Sequence, residues 1–137
     1  MARIYRNEQE IQGERAYIYV RDAHAVFSSH AARIRRLSPC TTRDLLDIRD
    51  GVKGEYDKLV AFNNTHGSGG SNWFQSEYGT TWQTKLDEII AAMVTINGAW
   101  NLLLDNYEAP SGNVEIVAMS AVDQEAAAVA VDTELEA

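Results

Sequence analysis

The sequence predicts an all-α fold, a bundle of three main helices followed by a short strand-like C-terminal arm. Three long segments repeat apolar residues at spacings of three and four, which is the period of one helix face. Break signals separate these segments, with Ser38-Pro39 after the first and the glycine-rich residues 63–72 after the second. With 137 residues and 45% hydrophobic side chains, the chain can bury a core without disulfides or metals.

The first predicted helix covers residues 9–36. Its apolar face is formed by Tyr17, Val20, His24, Phe27, Ala31 and Ile34. Residues 15–21 also suit a strand, but the helical spacing persists for roughly 18 residues and the strand pattern for about six, so helix is preferred. His24 lies on this face and is therefore expected to be a packed, hydrogen-bonded core histidine. Pro39 ends the helix, because a residue before proline disfavours the α conformation.

The second predicted helix covers residues 42–62 and starts at a variant capping box, Thr41 with Asp44 three positions later. Its apolar positions are Leu45, Ile48, Val52, Tyr56, Leu59 and Phe62. Residues 63–72 are rich in Asn, Gly and Ser and predict a flexible surface loop. His66 is accordingly expected to be an exposed loop histidine.

The third predicted helix covers residues 81–108 and carries the strongest pattern in the chain. Its apolar positions alternate spacings of four and three without a break and are Trp82, Leu86, Ile89, Met93, Ile96, Trp100, Leu103 and Tyr107. This spacing favours helix packing at about 20°. The residues expected in the core are Trp82, Leu86, Met93, Ile96, Trp100 and Leu103.

The remaining residues predict two parts, a helical bundle domain over 1–112 and an acidic Ala/Val-rich arm over 113–137. Alternation near residue 114 indicates a short strand, and the sequence offers it no partner strand. Ordering a residue's backbone costs roughly 1–2 kcal/mol, whereas alanine side chains bury little area. We therefore expect the arm to be mobile in the isolated chain and to become ordered by strand addition to another subunit.

Charge is distributed unevenly along the chain, whose formal net charge is −8. Residues 1–40 hold seven Arg against four acids, whereas residues 66–137 hold Lys85 alone against eleven acids. The net charge argues against a general nucleic-acid binder, because neutralising phosphates needs clustered Lys and Arg. The asymmetry suggests that the acidic part of one copy faces the basic part of another.

The sequence supplies no set of residues for catalysis or metal binding. A carboxylate-bridged metal site in a helix bundle needs Glu three positions before His, but Arg21 precedes His24 and Phe27 precedes His30. Neither the Gly-x-Ser-x-Gly elbow nor a zinc-protease motif occurs. Cys40 is the only cysteine and is expected to be an ordinary small residue. We predict no catalytic residue, cofactor, metal or small-molecule substrate.

Three groups of residues are candidates for protein interfaces. The aromatic turn Trp73, Phe74 and Tyr78 either folds back as a lid on the core or anchors an interface, and the sequence leaves both open. The cluster Arg33, Arg35 and Arg36 can grip phosphates, but complementing the helix dipole and pairing on the surface is preferred. In the predicted arm, the bulky apolar contacts are Val114, Ile116 and Val117.

A helical body, opposed charges in its two halves and a C-terminal arm together resemble small virion proteins of tailed bacteriophages. The layout is similar to the head–tail adaptor family, helical proteins that form rings between portal and tail. The resemblance implies a structural subunit whose partners are copies of itself and other virion proteins. The chain has no apolar run long enough for a bilayer and no signal peptide at its start. We therefore expect a virion protein assembled in the host cytoplasm, or alternatively a cytoplasmic helical module that binds a peptide or ligand.

Overall fold

A computed structural model of the chain describes residues 7–135, and this part of the chain is all-α. Its helices are α1 (Glu8–Arg36), α2 (Thr42–His66), α3 (Trp73–Tyr78), α4 (Thr80–Asp105) and α5 (Ala121–Leu135). The three long helices confirm the predicted bundle. The described residues contain no strand and only two isolated bridges.

The chain divides into two compact units that share the three long helices. Unit 1 comprises Met1–Ala23 with Glu55–Ala91, and unit 2 comprises His24–Gly54 with Ala92–Ala137. Neither unit begins or ends at residue 112, where the sequence pattern places a boundary. Residues 1–6 of the predicted bundle domain and residues 136–137 of the predicted arm lie outside the described residues.

The buried face of α1 differs from the predicted one by two positions. It is formed by Ala16, Val20, Ala23, Phe27, Ala31 and Ile34. His24 is exposed, so the prediction of a core histidine is wrong. The alanines at 16 and 23 face inward at helical spacing from Val20 and Phe27, but alanine is a weaker hydrophobic signal than the larger neighbouring side chains.

The boundary between α1 and α2 follows the sequence signals closely. The α1 helix ends at Arg36, before the predicted break at Ser38-Pro39. The amide of Thr41 donates to the Asp44 carboxylate over 2.9 Å, and the amide of Asp44 donates back to Thr41 Oγ1 over 3.3 Å. These reciprocal bonds are those of the predicted capping box.

The α2 helix continues four residues beyond its predicted end, so residues 63–66 are helical rather than loop. A tight turn follows, in which Asn63 O accepts from the amides of Gly67 and Gly69. A Cβ on Gly67 would collide with the side chain of Asn63, and a Cβ on Gly70 would collide with the backbone of Asn64 and Thr65, which explains why glycine occupies these positions. Glycine here serves close packing of the turn.

The interior face of α4 keeps most of the predicted residues. It is formed by Leu86, Ile89, Ala92, Met93, Ile96, Trp100 and Leu104. Trp82 and Leu103 are half-buried, so two of the six predicted core residues lie at the edge of the core. The helix ends at Asp105 instead of 108, because short-range turn bonds join Asn106 and Tyr107 to Leu103 and Leu104.

The predicted strand-like arm is not confirmed, and residues 121–135 form helix α5. Ser120 starts this helix by accepting from the amide of Asp123 over 3.1 Å. Ala127 and Ala128 are fully buried, and the Trp100 indole donates to Ala127 O over 2.9 Å. The expectation of a mobile arm is not confirmed, and it counted only the area of alanine side chains. Their small size lets the helix backbone approach close enough to bond the core tryptophan.

Residues 113–119 pair with residues of their own chain, which corrects the prediction that this segment lacks a partner. The amide of Thr42 donates to Val117 O, and that of Met119 donates to Cys40 O, each over 2.8 Å. Thr42 Oγ1 also donates to Glu115 O over 2.7 Å. Residues 40–42 are too few to give a strand pattern in the sequence, so their pairing role was not predicted.

Candidate interaction surfaces

An aromatic cluster in unit 1 contains the three aromatic residues that the sequence singled out. Phe74 of α3 is fully buried and packs edge-on against Phe62, with ring centroids 5.4 Å apart. Tyr78 stacks on Tyr17 at 5.1 Å, and its hydroxyl donates to Glu14 over 3.2 Å. The α3 helix therefore folds back onto unit 1, the first of the two alternatives for this turn.

Trp73 is held against a glycine of α1. A Cβ built on Gly13 would lie 2.5 Å from Trp73 Cζ3 and 2.8 Å from its Cη2. The indole also meets the His66 ring edge-on at 6.4 Å. His66 is half-buried and shares a hydrogen bond of 3.1 Å with Gln9, which corrects its prediction as an exposed histidine.

Phe74 is therefore unavailable to a partner in this structure, whereas Trp73 and Tyr78 remain half-exposed. Tyr17 and Trp82 are half-exposed as well, with ring centroids 4.8 Å apart. Contacts between neighbouring rings link these four half-exposed side chains to one another. The interface hypothesis for Trp73 and Tyr78 stays a prediction.

A polar cluster fixes the turn between α2 and α3. Gln83 is buried in α4 and donates to Asn63 and to Asp87, each over 3.0 Å. Asp87 also accepts from the Ser68 hydroxyl over 3.4 Å. Gln83 Oε1 is buried and accepts no hydrogen bond from the described residues. The Gln83 amide therefore joins α4 to α2, and Asp87 joins α4 to the turn.

The three arginines at the end of α1 differ in their ion pairs. Arg35 pairs with Glu125 at 3.1 Å and with Asp132, so two of the four acids of α5 are compensated by this arginine. Hydrogen bonds to these two carboxylates raise the pKa of Arg35. Arg33 and Arg36 are exposed and make no ion pair with any residue in the range 7–135. The surface-pairing interpretation therefore holds for Arg35.

The three apolar residues predicted for the arm differ in exposure. Val114 and Val117 are half-buried, and the backbone of Val117 is bonded on both sides to Thr42. Ile116 points outward with 49% of its surface exposed. Of the three, Ile116 is the side chain most available to a partner.

Exposed aliphatic side chains concentrate in unit 2, and most of them were missed by the sequence reasoning. They are Val94 at 53% and Leu102 at 71% on α4, Ile116 at 49%, and Val122 at 77% and Val129 at 43% on α5. In unit 2, the exposed positions of α4 are Val94, Thr95, Gly98, Leu102 and Asp105. We call the first four the α4 outer face, which carries no charge. The signal lay in the sequence, since residues 89–104 contain no charged residue.

The exposed face of α2 in unit 2 carries charged residues, in contrast to that of α4. In unit 2, its exposed positions are Arg43, Asp47, Asp50, Gly51, Lys53 and Gly54. Charged residues normally occupy the solvent side of an amphipathic helix. The uncharged outer face of α4 departs from this rule within the same unit.

The described part of the chain offers few side chains for catalysis or metal binding. Cys40 is buried, and burial together with nearby Asp44 raises the pKa of its thiol, which disfavours a nucleophilic thiolate. No three metal-ligating side chains come together within residues 7–135. The same residues include no helix that is both long and apolar enough to span a bilayer.

Comparison of the chain with protein-family models, with curated proteins and with solved structures finds no match. A function for this chain is therefore inferred from the geometry of its surfaces.

Proposed function

We propose that this protein is a non-enzymatic structural subunit that assembles with other protein chains. The observation that carries the proposal is the uncharged α4 outer face, on which Leu102 and Val94 expose more than half of their surfaces. Contiguous exposed apolar surface typically marks a site of protein contact. Depletion of charged residues is a feature of interface cores.

The assembly that we propose is the head–tail connector of a tailed bacteriophage, where the protein packs into a ring. Support comes from the resemblance in layout and from the separation of charge along the chain. The partners are further copies of the chain and other virion proteins, and the protein is assembled in the host cytoplasm. In this proposal the contacts with other chains are made by surfaces of folded helices and not by a C-terminal arm, because α5 is packed in unit 2.

The alternative, a small cytoplasmic module that binds a peptide or ligand, differs in its expected behaviour. A module works as a stable monomer whose melting temperature rises with its ligand. An assembly subunit forms larger species whose mass depends on concentration.

Size-exclusion chromatography with light scattering on the full chain tests the proposal. We expect species heavier than the 15.2 kDa monomer that dissociate on dilution, and closed rings in electron micrographs at high concentration. A monomer at every concentration, with or without a crowding agent, contradicts the self-assembling subunit.

A further inference from the structure

We draw no further inference here: the strongest candidate, the surface patch in unit 1 where the half-exposed rings of Tyr17, Trp73, Tyr78 and Trp82 contact one another, carries nothing because nothing in the described part of the structure shows what covers it.

Discussion

The two units of the chain close their cores in different ways. In unit 1, the short helix α3 places Phe74 and two half-buried aromatic rings over the core, so that closure depends on large side chains. In unit 2, the longer helix α5 buries Ala127, Ala128 and Val131, so that closure depends on small ones. Bulky residues fill space, whereas alanines allow a whole helix backbone to approach.

The two units also differ in the side chains that they leave exposed. The aromatic closure leaves half-exposed rings in contact with each other, such as Tyr17 and Tyr78. The closure by α5 buries Ala127, Ala128 and Val131 and leaves Val122 and Val129 exposed. Two of the exposed aliphatic residues of unit 2 therefore lie on the side of α5 that does not pack.

The largest expected effect comes from removing α5. A chain that ends at Ser120 leaves the Trp100 indole without its acceptor at Ala127 and the carbonyls of Ile34 and Leu37 without Gln124, which donates to both. Truncating one large core residue costs about 3–5 kcal/mol, and we expect the loss of α5 to lower the free energy of unfolding by more than this. A loss of this size is comparable with the whole stability of many domains. Denaturant unfolding followed by circular dichroism measures it, with Val122→Ala in the full chain as control. An unchanged midpoint would mean that α5 contributes nothing to the core.

Trp100→Ala is the next strongest perturbation. The side chain is fully buried and its N–H is bonded, so truncation creates a cavity and is expected to cost about 3–5 kcal/mol. Leu102→Ala, two residues away on the exposed side, is expected to change the unfolding free energy by less than about 0.5 kcal/mol. Equal effects of the two substitutions in chemical denaturation would contradict the orientation of α4.

The sequence predicted the long helices because their apolar spacing continues for many turns, and the Thr41–Asp44 cap because its chemistry is local. It could not predict that residues 115–119 pair with residues 40–42, because that partner is only three residues long. The α5 helix had one readable signal, Ser120 followed by Asp123, which resembles a capping box. Its packing was unpredictable, since alanine's contribution depends on how closely a neighbour approaches.

The candidate surfaces were predicted only in part, for a related reason. The aromatic turn was recognised by its composition, but composition could not distinguish buried Phe74 from half-exposed Trp73. The α4 outer face was not predicted, because the interior pattern of the same helix, with Leu86 and Trp100, dominates its sequence. A helix that is apolar on its solvent side is visible in sequence only when its solvent-facing positions are read separately.

Replacing glycine by alanine is expected to change stability in opposite directions at two sites on different helices. In Gly13→Ala, the added Cβ displaces the Trp73 ring, and overpacking of this kind costs about 1–3 kcal/mol. In Gly51→Ala, the new Cβ meets nothing within 4 Å, and the better helix former is expected to stabilise the chain by up to about 1 kcal/mol. Thermal melting of the two variants side by side measures both. Stabilisation by Gly13→Ala would show that Trp73 does not depend on this contact.

The smallest expected effect concerns the ion pairs of α5. Arg35→Ala removes partly exposed pairs to Glu125 and Asp132 and is expected to cost at most about 1 kcal/mol. The loss should shrink as salt is added, because exposed charges are screened. Arg33→Ala is the control, since Arg33 makes no ion pair within residues 7–135, and its effect should depend less on salt than that of Arg35→Ala. A salt-independent loss for Arg35→Ala would assign its role to packing.

Amide hydrogen exchange on the monomeric chain tests most directly the claim that α5 belongs to the core of unit 2. At a dilution where light scattering shows only single chains, we expect the amides of Ala127, Ala128 and Val131 to exchange as slowly as those of Phe27 and Ile34 in the buried face of α1. Exchange of the α5 amides at the rate of an unstructured peptide, while the α1 amides stay protected, would contradict the claim.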